Sequence, residues 1–225
     1  MVLEFPSQIP ESIADIVDVM GQHGVRTAAS AKVTDHELTR FGAGHATLDG
    51  FLEGGLATGA VSEWGMPAGQ GAREIALAII ARATADRNLV LWVNGQDGLD
   101  VYPPAWSARG VDLRFIRFVS DSKPLESLKP VFLEPLFRLI VLDSPRHLGS
   151  EEWAFIARQV RTLDAHIMVL QDFFLSGRRG NIWARLRVNC KQRGNGLVAS
   201  AGSGWRLETI RGAAHQPLEI GPLDM

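Results

Sequence analysis

The feature that most constrains this chain is a change of hydrophobic period that repeats along it. From Leu48 onward, short apolar runs of strand length alternate with segments whose apolar residues return at helical spacing. That alternation is the mark of strand, helix, strand crossover units, which build a mainly parallel twisted sheet flanked by helices. The candidate strands are Ala60–Trp64, Leu89–Asn94, Leu113–Val119, Leu139–Asp143, Ala165–Gln171 and Ala184–Asn189. Between them, 72–87 buries Ile75, Ile79 and Ala83, and 151–163 buries Trp153, Ile156, Val160 and Leu163. Segment 125–137 buries Leu125, Leu128, Phe132 and Leu136, although Pro130 and Pro135 interrupt it. After Gly194 the helical spacing stops, and Asn195-Gly196 with Gly202-Ser203-Gly204 supplies turns for an antiparallel β-meander at the C-terminus.

Length places one domain here, with 1–45 as an N-terminal helix and connector and 46–225 as the core. The helix is expected at 11–20, where Ile13, Ile16, Val17 and Met20 share a face that must dock on this core or on another protein. One cysteine, Cys190, excludes a disulfide framework and a Cys-rich zinc cluster. With no apolar leader and no apolar run near the ~20 residues that cross a bilayer, the expectation is a soluble cytoplasmic protein without membrane contact.

The first strand runs into Gly65-Met66-Pro67-Ala68-Gly69-Gln70-Gly71-Ala72-Arg73 and then a helix, the context in which backbone N–H groups cradle phosphates. A working loop adds a lysine for the terminal phosphates and a hydroxyl for magnesium. Here Ala72 stands for the lysine, Arg73 for the hydroxyl and Met66 for the first glycine, while Gly69 and Gly71 remain. A lost charge-assisted contact is worth ~1.5–3 kcal/mol, so nucleotide affinity should fall by about ten- to a hundredfold for the lysine alone. The glycines equally serve the turn itself.

The ordered series around this loop resembles the core of RecA-type ATPases. Thr47 to Trp64, with Leu48-Asp49 and Gly54-Gly55-Leu56 leading into the loop, is similar to the family's entry segment. Leu91 to Asp100 resembles the strand end that carries the catalytic glutamate, with Gln96 at that position. Leu139-Ile140-Val141-Leu142-Asp143-Ser144 resembles a Walker B strand, and Ile167 to Gln171 the strand whose terminal glutamine couples nucleotide to the DNA loops. The resemblance covers about 45–193 and implies a RecA-like fold with a degenerate ATP site. Glutamine cannot act as a general base at neutral pH, so no catalytic residue is expected. No cofactor is expected either, although Asp143 and Arg73 leave room for weak binding of Mg-ATP, and Asp143 could instead brace a neighbouring loop.

Within the superfamily the chain looks most like the ImuA proteins, with the SulA division inhibitors a related branch. The resemblance to ImuA implies a non-catalytic adaptor in the SOS response and error-prone translesion synthesis, with RecA or an ImuB-like polymerase complex as partner. A divergent DNA-dependent ATPase and a SulA-like inhibitor of cell division are the alternatives.

The net charge of −2 conceals a strip. No acidic residue lies between Phe173 and Leu207, which hold Arg178, Arg179, Arg185, Arg187, Lys191, Arg193 and Arg206, whereas the remainder has 16 basic and 25 acidic residues. Such segregation suits a phosphate-binding face. The strip opens with Phe173-Phe174-Leu175-Ser176-Gly177-Arg178-Arg179, where the resemblance puts a DNA-binding loop shorter than RecA's. Phe173 and Phe174 could stack on bases or lie in the core, and Arg178, Arg179, Arg185 and Arg187 could meet DNA or a protein.

The six histidines, at 23, 36, 45, 147, 166 and 215, show no metal-ligand spacing, and most read as surface or linker residues. Ser144 and Ser203 lie in no nucleophile elbow. Tyr102, near the adenine-stacking position of the resemblance, could pack on Trp106 as well as on a base.

Overall fold

The computed structural model describes residues 39–67, 73–95, 101–146, 148–178, 181–192, 204–212 and 216–221. The expected helix at 11–20, and Gly69, Gly71, Ala72, Gln96 and Arg179, lie outside the described residues.

An eight-stranded sheet organises the chain. Its strands are β3 (Ala60–Gly65), β4 (Val90–Asn94), β5 (Ile116–Ser120), β6 (Leu139–Asp143), β7 (His166–Gln171), β8 (Leu186–Gln192), β9 (Trp205–Arg211) and β10 (Leu218–Ile220). A separate antiparallel pair, β1 (Arg40–Phe41) and β2 (Leu56–Ala57), precedes it in the chain. In space the sheet runs β5-β4-β6-β7-β3-β8-β9-β10. The first five pairings are parallel and the last two antiparallel, so the expected parallel core and β-meander finish are both present.

Alternate side chains on these strands build two cores. Val90, Trp92, Leu139, Val141, Met168 and Leu170 face one side. Leu91, Val93, Ile140, Leu142, Ile167 and Val169 face the other. That is the period of two expected of strands covered on both faces. Helix α2 (Arg73–Ala85) closes the first core with Ile75, Ile79 and Ala83. Helix α5 (Ser150–Leu163) closes the second with Trp153, Ile156, Val160 and Leu163, spaced i, i+3, i+7, i+10 along one face. At the start of α5 the Glu152 carboxylate accepts the Gly149 N–H at 2.6 Å, and Asp164 ends the helix in the left-handed region at φ 48°. Shorter helices among the described residues are α1 (Ala46–Phe51), α3 (Pro103–Ser107) and α4 (Pro124–Ser127). Among the described residues, no helix is long and apolar enough to cross a membrane.

Two local expectations are corrected. The helix expected at 125–137 is broken into α4 and a 3-10 turn at Lys129–Phe132, because Pro130 and Pro135 lack the N–H a longer helix needs. Leu136 is thereby left 57% exposed while Phe132 stays buried. The strand expected from Leu113 begins at Ile116, because the Asp112 carboxylate accepts the Arg114 N–H at 3.0 Å and caps a 3-10 turn at Leu113–Phe115. His166 is a core residue, 2% exposed. Trp106 packs edge-on against Trp92 and Phe118, at 4.7 and 5.1 Å between centroids, and Tyr102 points to solvent.

Candidate functional site

Parallel strands aligned in register finish at one edge, and open α/β sheets hold their ligands there. Register pairs Asn94 with Asp143, Asp143 with Leu170, and Gly65 with Gln171. The end of the glycine-loop strand, Asp143 and Gln171 thus come to the same carboxyl edge, with β7 between β3 and β6.

Arg73 opens α2 and spans the gap to β6. Its Nε donates to both Asp143 oxygens at 3.1 Å, and its Nη2 to Asp143 Oδ1 at 2.7 Å. Nη2 also donates to Ser144 Oγ at 2.9 Å, and Nη1 to the Met66 carbonyl at 3.3 Å. Ser144 Oγ–H in turn donates to Asp143 Oδ1 at 3.1 Å. The Asp143 side chain is 9% exposed, so its charge is met chiefly by this guanidinium. Ser144 holds a left-handed backbone at φ 49°, and the turn after it lies on Gly95, where a Cβ would strike the Ser144 and Asp143 carbonyl oxygens.

A second polar cluster lies on the next strands. Glu63, buried in β3, accepts from Arg187 Nε of β8 at 2.7 Å and from Gln171 Nε2 at 3.1 Å. Both partners of the Glu63–Arg187 pair have side chains only 7% exposed. Arg187 Nη1 continues to the Ser176 carbonyl at 3.2 Å. Asn189 completes the anchor: its Oδ1 accepts the Leu175 N–H at 2.7 Å and its Nδ2 donates to the Leu175 carbonyl at 3.0 Å, as a neighbouring strand would. Gly65 lies beneath, and a Cβ there would strike Asn189, Leu175 and Phe173.

These anchors hold the loop 172–178 so that Leu175 is buried while Phe173 and Phe174 are 54% and 44% exposed. The alternative that placed both phenylalanines in the core is set aside by that exposure. Arg187, read from sequence as a contact for DNA or a partner, has its charge met by Glu63 inside the protein. Lys191 pairs with Glu208 at 2.7 Å, and Arg206 with the same carboxylate at 3.0 Å. For Lys191 the acidic neighbour absent from the linear strip therefore arrives across the sheet from β9, whereas Arg206 meets it two residues along its own strand. Arg178 is exposed on the loop, and Arg185 is exposed where its N–H meets the Val61 carbonyl at 2.9 Å.

Glu63, Asn189, Asn181, Ile182 and Trp183 were not singled out from sequence. Glu63 carried a readable signal, since a carboxylate inside a strand buried at every position needs a cation from a neighbour. Among the described residues, no group of three or more His, Cys, Asp or Glu side chains is arranged to hold a metal.

The fold and its edge define an α/β domain with a mixed, mostly parallel sheet and two polar anchors at its carboxyl end. No protein-family model matches this chain, and no curated protein matches it.

Proposed function

We propose that the chain is a non-catalytic RecA-like adaptor that acts in the DNA-damage response and error-prone translesion synthesis. It works by binding protein partners at the carboxyl edge of its sheet. The observation that carries the non-catalytic part is the Arg73 guanidinium seated on both oxygens of Asp143. Magnesium needs near-octahedral oxygen ligands, and a carboxylate clamped by a bidentate arginine must first lose those hydrogen bonds to serve as one. With Ala72 at the lysine position, the sequence of the loop 65–73 supplies no cation other than Arg73. The placement of β7, ending in Gln171, between the loop strand and the Asp143 strand supports the RecA-like reading. RecA and an ImuB-like polymerase complex are the partners that the resemblance suggests.

Calorimetric titration with Mg-ATP tests this reading, and the expected result is no micromolar binding and no phosphate release above the blank. Asp143→Ala leaves that release unchanged but lowers stability by about 1.5–3 kcal/mol, because Arg73 loses its charged acceptor. Micromolar binding with turnover that Asp143→Ala abolishes would establish the divergent ATPase instead. DNA contact is the second reading, favoured by exposed Phe173, Phe174 and Arg178 on one loop. A gel shift over a salt series measures it, since affinity from phosphate contacts falls steeply with salt.

A further inference from the structure

The loops after β6 and β7 enclose a cleft of about 930 Å³ that reaches from Ser144 to Trp183. Resting on the adaptor reading, we infer that this cleft is a preformed docking site for an extended, uncharged apolar segment of a partner protein.

Its rim carries four large apolar side chains that reach solvent. Ile182 is 70% exposed and Trp183 40%, and they join Phe173 and Phe174 around the same opening. Exposed apolar side chains scattered singly mean little, but a contiguous group around a concavity marks an interaction surface.

Charge selects the occupant. Four formally charged residues line the cleft among the described residues, Glu63, Arg146, Asp172 and Arg187, and their signs cancel. Two of them are the buried floor pair, Glu63 and Arg187, already joined at 2.7 Å. The described lining residues offer a polyanion no net positive charge, with Arg178 outside the lining on the same loop, whereas a segment with apolar side chains and no net charge is complementary to the walls. Asn181 lines the same cleft, and its buried Nδ2 has no hydrogen-bond partner among the described residues. A peptide carbonyl from the occupant would satisfy that donor.

The surface is also held in shape before anything binds. Asn189 and Arg187 fix the loop at Leu175 and Ser176. On the opposite wall, Asn181 Oδ1 accepts the Trp183 N–H at 2.9 Å, and Arg211 donates to the Ile182 carbonyl at 2.9 Å. Aromatic side chains displayed on pinned backbone lose little freedom on binding, which favours protein recognition without a nucleotide switch.

The test uses the full chain, a phage-displayed random peptide library and a single-stranded oligothymidylate. The expected outcome is enrichment of peptides rich in Leu, Ile, Phe or Trp with no net charge. Binding of a synthesised, labelled winner, read by fluorescence anisotropy, should weaken roughly thirtyfold in Trp183→Ala or Phe174→Ala, as at an interface hot spot. It should change little in Arg178→Glu or between about 50 and 200 mM salt, where phosphate-driven binding collapses. Both aromatic variants alter exposed side chains, so unchanged thermal unfolding separates lost docking from lost folding. Absence of enrichment, selection of acidic peptides dependent on Arg178, or displacement of the peptide by the oligothymidylate overturns the inference. Absence of Mg-ATP binding alongside such a failure would leave the adaptor reading standing with its docking surface elsewhere. ATP turnover would remove that reading whatever the peptides do.

Discussion

Glu63→Gln is expected to destabilise the domain by about 3–5 kcal/mol, the cost of leaving a buried charge without its partner. Arg187 is nearly inaccessible, and its Nε lies 2.7 Å from Glu63 Oε2. Glutamine keeps the shape and can still meet Gln171, so the loss isolates the charge. For a domain of this size the fall in melting temperature is roughly 6–20 °C, and urea unfolding followed by tryptophan fluorescence reads the free energy directly. The paired replacement Glu63→Leu with Arg187→Met should recover most of that loss, because two well-packed apolar residues avoid the desolvation of both ions. That double variant nevertheless gives up the hydrogen bond from Arg187 to the Ser176 carbonyl. Stability should return while the loop 172–178 loosens, so the pair's remaining role is to shape the cleft. A double variant as unstable as Glu63→Gln would show that local packing, not the uncompensated charge, sets the cost.

What sequence made legible follows from what is periodic. β3, β4, β6 and β7 are buried along nearly their whole length, so their apolar runs stand out and their limits are recovered to within a residue. Helix α5 announced itself through Trp153, Ile156, Val160 and Leu163. The segment around Pro130 did not, because its apolar spacing is helical while its prolines forbid the hydrogen bonds that would use it. At the site, Asp143, Arg73 and Gln171 could be singled out one by one, but that Arg73 closes on Asp143 depends on an approach between residues 70 positions apart. The basic strip is partly offset in space for the same reason. Strand pairing sets Lys191 opposite Arg206 and Asn189 opposite Glu208, which brings the Glu208 carboxylate to Lys191, while Arg206 meets it two residues along its own strand. Linear charge segregation measures order along the chain, whereas a field is made by neighbours in space.

Arg73 also changes what the glycine loop can do. In a nucleotide-binding domain the bound cation comes and goes, and the edge of the sheet changes shape with it. A guanidinium built into the first turn of α2 remains in place, so Asp143 and the strained turn at Ser144 are braced throughout. The turn at Ser144 and the cleft are then parts of a fixed surface, as the anchors at Leu175 and Ser176 also imply.

Acid should destabilise the protein by up to about 3 kcal/mol between pH 6.5 and pH 4, through His166 alone. Burial lowers its pKa from 6.5 to about 4, against the opposing effect of the hydrogen bond to the Ala57 carbonyl. That carbonyl, 2.7 Å from Nδ1, can only accept, so Nδ1 carries the proton of the neutral ring. Nε2 is then the acceptor for Ser62 Oγ–H at 2.7 Å, while the Ser62 oxygen receives the Trp64 indole N–H at 2.9 Å. A second ring proton would meet the serine hydroxyl's own hydrogen and bring an uncompensated charge into the core. Because the folded pKa lies below the unfolded one, the unfolded chain takes up the proton first. Stability is therefore whole above pH 6.5 and is lost as pH falls toward the folded value of about 4. Asp164, held low by Thr58 and Arg138, and Glu208, held low chiefly by Lys191, lose their contributions only below their ordinary values of 3.8 and 4.5. The upper part of the window therefore belongs to the histidine. Urea unfolding at several pH values should show the decline in the native chain. His166→Gln should be less stable at pH 7 and should lack the slope above pH 4.5, and a slope that persists in this variant would assign it to another group.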